Sequence, residues 1–194
     1  MGLPSVAVPC AHADVCENAF TGPSGVCLLH DPDPGKSPGP FEIALSAHLD
    51  RGRCSLAYLH PPNSLNALNL QGRTFHERLV VEHVHPAKPI ELQGATLKEG
   101  ATFSHDHNLS LNGVVSDGPI FIGSGTGAPL TIHLDSGTFQ EEVVVSLPKS
   151  LVHVSASYAH FAKRLKVTAP TIGTLARRWC CRGRAPQPGL AGAG

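Results

Sequence analysis

The stretch FHERLVV, from Phe75 to Val81, recurs in four further forms along the middle of this 194-residue chain. LKEGATF begins at Leu97, VSDGPIF at Val115, FQEEVVV at Phe139 and FAKRLKV at Phe161. The first, fifth and seventh positions are apolar or small in every copy, and the copies start 22, 18, 24 and 22 residues apart. A period of this size is typical of a repeat architecture in which each unit buries its apolar face against its neighbours.

A second series of short alternating segments precedes the first series at the same period. Its members are LNLQG from Leu68, IELQG from Ile90, LSLNG from Leu109, LTIHLDSG from Leu130 and LVHVSAS from Leu151. Two strands, a polar corner and a variable third side in every repeat predict an all-β fold, a parallel β-helix of about five coils. An irregular first coil is expected around Ser55–His60, and the alternative fold is a β-sandwich with evenly spaced strands.

The pattern divides the chain into four parts. Residues 1–38 form a Cys/His leader and a turn-rich linker, and residues 39–53 (FEIALSAHLDRG at their centre) form a helix that caps the solenoid. Residues 54–170 form the β-helix. Residues 171–194 form a C-terminal cap, in which TIGTLARRW supplies a short helix, followed by a basic flexible tail.

Charge is distributed unevenly along the chain, although the net charge is zero. Residues 1–142 carry 15 acidic and 7 basic side chains, whereas residues 143–194 carry 8 basic side chains and no acidic one. In a solenoid this sequence order becomes a dipolar rod, with either an anionic partner or only solvent at its basic end.

The leader contains four candidate metal ligands: Cys10, Cys16, Cys27 and His30. Three thiolates and one imidazole suit a closed tetrahedral zinc site of structural type, in which His12 can replace one cysteine. The alternative is a set of unligated thiols. The start MGLPSVAVPC lacks the features of a secretory signal, and no apolar run reaches the length of a membrane span. We therefore expect a cytoplasmic protein with reduced thiols.

Two histidine pairs lie one repeat apart, His83 with His85 and His105 with His107. We expect them to stack on adjacent coils as a speculative second metal site, beside a gap lined by Gly123 and Gly125, or to be ordinary polar corner residues. The pairs share parity with the inward Val81 and Phe103, so the chain must turn to expose them. The sequence ARRWCCRGR can contact phosphate-bearing surfaces. Its candidate interaction residues are Arg177, Arg178, Trp179 and Arg182.

The stretch QGATLKEGATF, residues 93–103, resembles the pattern of the bacterial pentapeptide-repeat family. The cysteines, the Cys27-x-x-His30 spacing, the HDPDPGK turn and the short helix are similar to a zinc-knuckle-like leader found ahead of some such repeats. The resemblance implies a right-handed parallel β-helix. It also implies a binding or scaffolding role, because most members of the family are binding or scaffolding proteins. A few members mimic duplex DNA.

The sequence therefore predicts a non-catalytic scaffold or protein-interaction module that possesses structural zinc and can assemble end to end. The carboxylates considered for catalysis do not pair at the coil period: they are Asp117, Asp135, Glu141 and Glu142. No nucleophile elbow, P-loop or dinucleotide fingerprint is present. The alternatives are a small metal-dependent or carbohydrate-binding enzyme that uses the stacked histidines, and a basic tail that anchors the protein to nucleic acid or membrane.

Overall fold

A computed structural model describes residues 8–10, 19–20, 26–104, 108–123, 130–147, 151–169 and 171–176. Its regular elements are short strands and one helix. They are β1 (Val8–Pro9), β2 (Ala19–Phe20), α1 (Pro38–Asp50), β3 (Leu68–Asn69), β4 (Thr74–Phe75), β5 (Leu79–Glu82), β6 (Ile90–Glu91), β7 (Thr96–Leu97), β8 (Ala101–Ser104), β9 (Leu109–Ser110), β10 (Val115–Ser116), β11 (Ile120–Gly123), β12 (Leu130–His133), β13 (Thr138–Phe139), β14 (Val143–Ser146), β15 (Leu151–Ser155), β16 (His160–Phe161), β17 (Leu165–Thr168) and β18 (Thr171–Ala176).

Three parallel sheets form the sides of a solenoid. The two sequence series predict two strands per coil, but each coil has three, because every copy of the first series supplies one strand before and one strand after its polar corner. Their strand orders are β16-β13-β10-β7-β4, β17-β14-β11-β8-β5 and β18-β15-β12-β9-β6-β3. Each rung takes one strand from each sheet, so five stacked rungs make about four turns from first to last. Inward side chains are almost entirely aliphatic or aromatic, and those of the first four rungs are buried, which gives one continuous core along the axis.

The structure corrects the alignment of the third copy. Phe75 pairs with Leu97, but Leu97 pairs with Ser116, and Ser116 pairs with Phe139. Val115, which was expected to face inward, is 39% exposed, whereas Ser116 is fully buried. The Ser116 hydroxyl donates to the carbonyl of Gly118 at 2.8 Å, and a satisfied hydroxyl can occupy a core position at little cost.

With this correction both sequence series share one spacing. Inward residues of the first series lie 22, 19, 23 and 22 residues apart, from Phe75 to Phe161. Those of the second series have the same separations, because Leu109 pairs with Ile132 and not with Leu130. Val154, and not Leu151, is the matching residue of the fifth rung. The repeat is therefore more regular than the sequence alignment indicated.

The helix α1 covers the N-terminal end of the core, as expected of a capping helix. Its residues Phe41, Leu45 and Leu49 are buried along one face, and Pro38 occupies the first helical turn, where a missing N–H costs nothing. Below the first rung, Ser55 forms a parallel bridge with Val80. This bridge confirms the irregular coil predicted at Ser55–His60.

The last segment differs from the prediction. Thr171–Ala176 forms strand β18 parallel to β15, and not the start of a short helix. Thr171, Ile172 and Thr174 are β-branched and favour the extended conformation, and β15 offers them an open sheet edge. Residues 177–194 lie outside the described residues. Among the residues that the structure describes, no helix has both the length and the apolar character needed to cross a membrane.

The charge asymmetry is partly neutralised between rungs. Lys163 pairs with Glu141 at 2.5 Å and Arg164 with Glu142 at 2.7 Å, so cations of the fifth rung face acids of the fourth. Lys98 pairs with Asp117 in the same way, one rung apart. These six charged residues therefore form local ion pairs between adjacent rungs and do not contribute to a charge difference between the two ends.

Candidate functional site

A short hairpin and a tight turn bring three of the four predicted metal ligands together. Cys10 follows β1, which pairs antiparallel with β2. Cys27 and His30 lie in one turn, in which the amides of His30 and Asp31 both donate to the Cys27 carbonyl. This turn places the Cys27 and His30 side chains on the same side, facing Cys10.

The geometry of this group suits a metal ion. One ligand atom from each of Cys10, Cys27 and His30 lies within 4.8 Å of the others, and all three residues are buried. His30 Nδ1 lies 3.4 Å from Cys10 Sγ and 3.3 Å from Cys27 Sγ. Sulfur and nitrogen bound to one tetrahedral zinc are about 3.5 Å apart. The three residues therefore lie close enough to bind one metal ion.

Neighbouring backbone groups orient the ligands. His30 Nε2 donates to the carbonyl of Ala57 at 3.2 Å, which leaves Nδ1 as the nitrogen that faces the sulfurs. The amide of Cys27 donates to Cys10 Sγ at 3.3 Å, which fixes the position of that sulfur beside the turn. Burial lowers the pKa of His30, but its contacts with the Cys27 and Cys10 sulfurs raise that pKa above the ordinary value. A metal ion bound by these three residues would take the place of the proton that these contacts favour on His30.

A buried lysine, which the sequence analysis did not single out, clamps the same turn. Lys36 Nζ donates to the carbonyls of Leu28 and Asp31, on either side of His30. Its ammonium lies 5.3 Å from the centroid of the Phe41 ring, so it also links the turn to α1. Burial lowers the pKa of Lys36, and the negative charge of Asp31 partly opposes that shift.

The other predicted ligands and the remaining described cysteine are placed as follows. Cys16 and the alternative ligand His12 lie outside the described residues, in the segment that joins β1 to β2. Cys54 is buried near Gly52, and burial raises the pKa of its thiol. Cys54 is not part of the group formed by Cys10, Cys27 and His30.

The described ring contacts of His83 and His85 are with the preceding, irregular coil. His83 has a left-handed backbone, which exposes its side chain, and its ring stacks on Tyr58 with centroids 5.0 Å apart. His85 lies 6.4 Å from His60, centroid to centroid. The chain does turn at His83, but its described neighbours belong to the irregular coil. His105 and His107 lie outside the described residues.

The repeated motif behind this corner is visible in the sequence. Tyr58-Leu59-His60-Pro61 and His83-Val84-His85-Pro86 occupy equivalent positions on adjacent rungs, since Ser55 pairs with Val80. We call Tyr58, His60, His83 and His85 the histidine corner. The expected glycine gap is displaced, because Gly123 aligns with Ser104 and Glu82 and not with His83. Gly125 lies outside the described residues.

The carboxylates considered for catalysis make structural contacts. Asp117, Glu141 and Glu142 form the ion pairs between rungs. Asp135 accepts hydrogen bonds from the Ser155 hydroxyl at 2.7 Å and from the amide of Ser157. These contacts hold adjacent coils together. The candidate interaction residues Arg177, Arg178, Trp179 and Arg182 lie outside the described residues.

Two clefts of about 420 and 440 Å³ flank the junction between α1 and the first rung. Arg73 borders both clefts and donates to Asp50 Oδ1 at 2.8 Å and to Ser46 Oγ at 2.7 Å. The hydrogen bonds of Arg73 therefore tie the capping helix to the first coil between the two clefts.

The outer face of one sheet carries one exposed aromatic residue and two half-buried valines. Phe121 projects from β11 and is 39% exposed, and the half-buried Val80 and Val144 lie on the same face of β5 and β14. The guanidinium of Arg78 lies 5.9 Å from the centroid of the Phe121 ring. An aromatic residue beside an arginine on a flat surface is typical of protein contact sites.

Comparisons of the chain with protein-family models, with curated proteins and with solved structures found no match. The pentapeptide-repeat resemblance thus stays a prediction, while the parallel solenoid itself is present. The solenoid has three sheets as its sides, and its successive rungs are 19 to 23 residues apart.

Proposed function

We propose that this protein is a non-catalytic β-solenoid scaffold that binds a protein partner through the outer face of the β5-β8-β11-β14-β17 sheet. The observation that supports the proposal most directly is Phe121, a large aromatic side chain held out of the core between Thr102 and Val144, with Arg78 beside it. The stacked strands provide a rigid, flat surface, and a rigid surface loses little entropy on binding.

Affinity capture from native cytosol with Phe121→Thr tests this proposal. Threonine retains the strand preference but removes the aromatic surface. Val115→Thr is a matched control, because Val115 is also 39% exposed but belongs to a different sheet. We expect one partner to be enriched by the natural chain and by Val115→Thr, and to be lost with Phe121→Thr. Equal capture by both variants, or capture by none, would contradict the proposal.

We further propose that zinc holds the leader against the solenoid. Cys10, Cys27 and His30 supply two soft thiolates and an imidazole, and Cys16 or His12 supplies the fourth ligand. The turn that carries His30 contacts the irregular coil twice: His30 donates to Ala57, and the amide of His60 donates to the carbonyl of Leu29 at 2.9 Å. A metal at this position fastens the N-terminal end of the fold and, with four protein ligands, has no open position for catalysis.

A second candidate function is the binding of a divalent metal by the histidine corner. The observation that favours it is the His60–His85 pair on adjacent rungs, since imidazoles across neighbouring strands can share one ion. Zinc titration of protein that already holds one equivalent tests it. We expect a second, weaker equivalent that disappears in His85→Gln and persists in His160→Gln, a control on the exposed outer side of β16. Binding that is unchanged in His85→Gln would exclude this site.

A further inference from the structure

The two ends of the solenoid core differ. At the N-terminal end, α1 and the irregular coil cover the first rung, and Phe41, Leu56 and Leu59 are fully buried. At the C-terminal end, Phe161, Leu165 and Val167 face inward but are only half-buried. Their counterparts one rung earlier are at most 1% exposed, namely Phe139, Val143 and Val145. Within the described residues the core is closed at one end and open at the other.

Backbone hydrogen bonding shows the same open end. At each rung, the first residue of the longer strand donates its amide to a carbonyl of the next rung. The pairs are Leu79 with Gly100, Ala101 with Pro119, Ile120 with Glu142 and Val143 with Arg164, at 2.9 to 3.2 Å. Leu165 is the next residue in this series, and β17 is the terminal strand of its sheet among the described residues. An open strand edge of this kind is a template for pairing with another chain.

The following sequence is poorly suited to supply a sixth complete rung. After a register shift that follows Val152, strand β18 pairs with β15 at an offset of 21 residues, Val154 with Leu175 and Ser155 with Ala176. Continued at this offset, the positions of Ala156 and Phe161 would receive Arg177 and Arg182. The positions of Leu165 and Val167 would receive prolines, residues 186 and 188. Arginine is costly at an inward position, and proline has no amide to pair with β17.

We infer that a second copy of this chain covers the C-terminal rung, so that two copies meet through the outer edges of β16, β17 and β18 in a symmetric dimer. The N-terminal end is closed by α1 and cannot offer a matching edge, which disfavours head-to-tail filaments. A two-fold contact uses the same surface on both copies and closes on itself. Lys163 and Arg164 are already paired with Glu141 and Glu142, which neutralises two of the eight basic side chains of residues 143–194. This inference refines the proposed scaffold function by naming one of its partners.

Sedimentation velocity of the full chain, over a wide range of protein concentration, tests the dimer. We expect a dimer for the natural chain and a monomer for Val167→Lys, which places a charge in the open core. Val144→Lys is the matched control, since Val144 lies on the outer face of the preceding strand. It should remain dimeric. Circular dichroism of each variant establishes whether the solenoid is folded. If Val167→Lys does not fold, a second variant, Leu165→Lys, places a charge at another inward position of the same rung and should also be a monomer.

A full chain that stays monomeric at all concentrations would overturn the inference. So would a dimer that Val144→Lys abolishes, because that result would place the contact on the outer face. The other possible occupant is the chain's own residues 177–194. In that case the full chain would be monomeric and a chain truncated after Ala176 would associate, whereas we expect both to be dimers. Phe121→Thr should leave the dimer intact, so the dimer and the proposed partner surface can fail separately.

Discussion

Gly100 lies against the backbone of Pro119 on the next rung, so closely that a Cβ atom at Gly100 would overlap the Pro119 carbonyl. Gly100 also has a left-handed backbone, with φ of 76°. The contact joins the second and third rungs, whose equivalent residues are 19 positions apart, the smallest separation in the solenoid. The two corners therefore pack backbone against backbone, in a contact that leaves no room for a side chain at position 100.

We predict that Gly100→Ala destabilises the fold far more than Gly94→Ala. Gly94 has a similar backbone, with φ of 67°, but nothing lies within 4 Å of a Cβ placed there. Alanine at position 94 should cost about 1 kcal/mol from the left-handed conformation alone. Alanine at position 100 adds the displacement of Pro119, which should raise the cost by about 2 kcal/mol or more. Urea unfolding of the two variants measures both values, and equal losses would contradict the close contact.

The second prediction concerns Lys36, whose ammonium donates to two carbonyls of the turn that carries His30. Lys36→Met keeps the apolar stem against Phe41 but leaves the carbonyls of Leu28 and Asp31 without the ammonium. We expect a loss of about 2 kcal/mol in the free energy of unfolding and a 10- to 100-fold weaker metal affinity, on the order found when groups that support ligands are removed.

Lys98→Met is the control for this variant. Lys98 is exposed and pairs with Asp117 at 2.8 Å, a contact that contributes less than about 1 kcal/mol. Competition with a zinc chelator reports the affinity, and urea unfolding reports the stability. If Lys36→Met binds zinc as tightly as Lys98→Met, Lys36 does not position the turn.

A third prediction follows from His48, a buried histidine of α1 that donates from Nε2 to the Ser55 carbonyl at 3.0 Å. Burial lowers its pKa below the ordinary 6.5, the hydrogen bond to Ser55 opposes that shift, and the nearby Arg51, His30 and Arg53 add to it. The unfolded chain has the ordinary pKa, so below pH 6.5 it binds more protons at this position than the folded chain does.

The contribution of His48 to stability is therefore complete above pH 6.5 and is lost as the pH falls from 6.5 toward the folded pKa. Urea unfolding of the natural chain and of His48→Gln between about pH 5 and pH 8 measures it, because other titrating groups cancel in the difference. We expect the natural chain to lose more stability on acidification than His48→Gln. Parallel pH profiles would show that His48 is not responsible.

Much of the fold was predictable because apolar periodicity reports burial directly. The five copies, the capping helix and the irregular coil at Ser55–His60 all follow from where apolar residues and turn residues fall. The alignment was wrong by one residue at Ser116, where a polar side chain occupies an inward position and Val115 beside it is the more apolar residue. A hydroxyl satisfied by a local carbonyl cannot be recognised from hydrophobicity alone.

The candidate metal ligands could be predicted from the chemistry of cysteine and histidine. The residues that position the ligands could not all be predicted. Cysteine and histidine spacing indicated Cys10, Cys27 and His30, which the fold brings together. Lys36 could not be identified, because a lysine is normally a surface residue and its burial depends on the exact course of the turn. His60 could have been found from the repeated Tyr58-Leu59-His60-Pro61 and His83-Val84-His85-Pro86 motif.

The most direct test of the central claim, a parallel solenoid whose N-terminal end a metal fastens, is the metal content of the natural chain compared with two cysteine variants. Cys27→Ser removes a proposed ligand, and Cys54→Ser removes another buried thiol outside the group. We predict one zinc per chain, retained in Cys54→Ser and lost in Cys27→Ser with a lower unfolding temperature. A natural chain without zinc, or equal zinc in the two variants, would contradict the account.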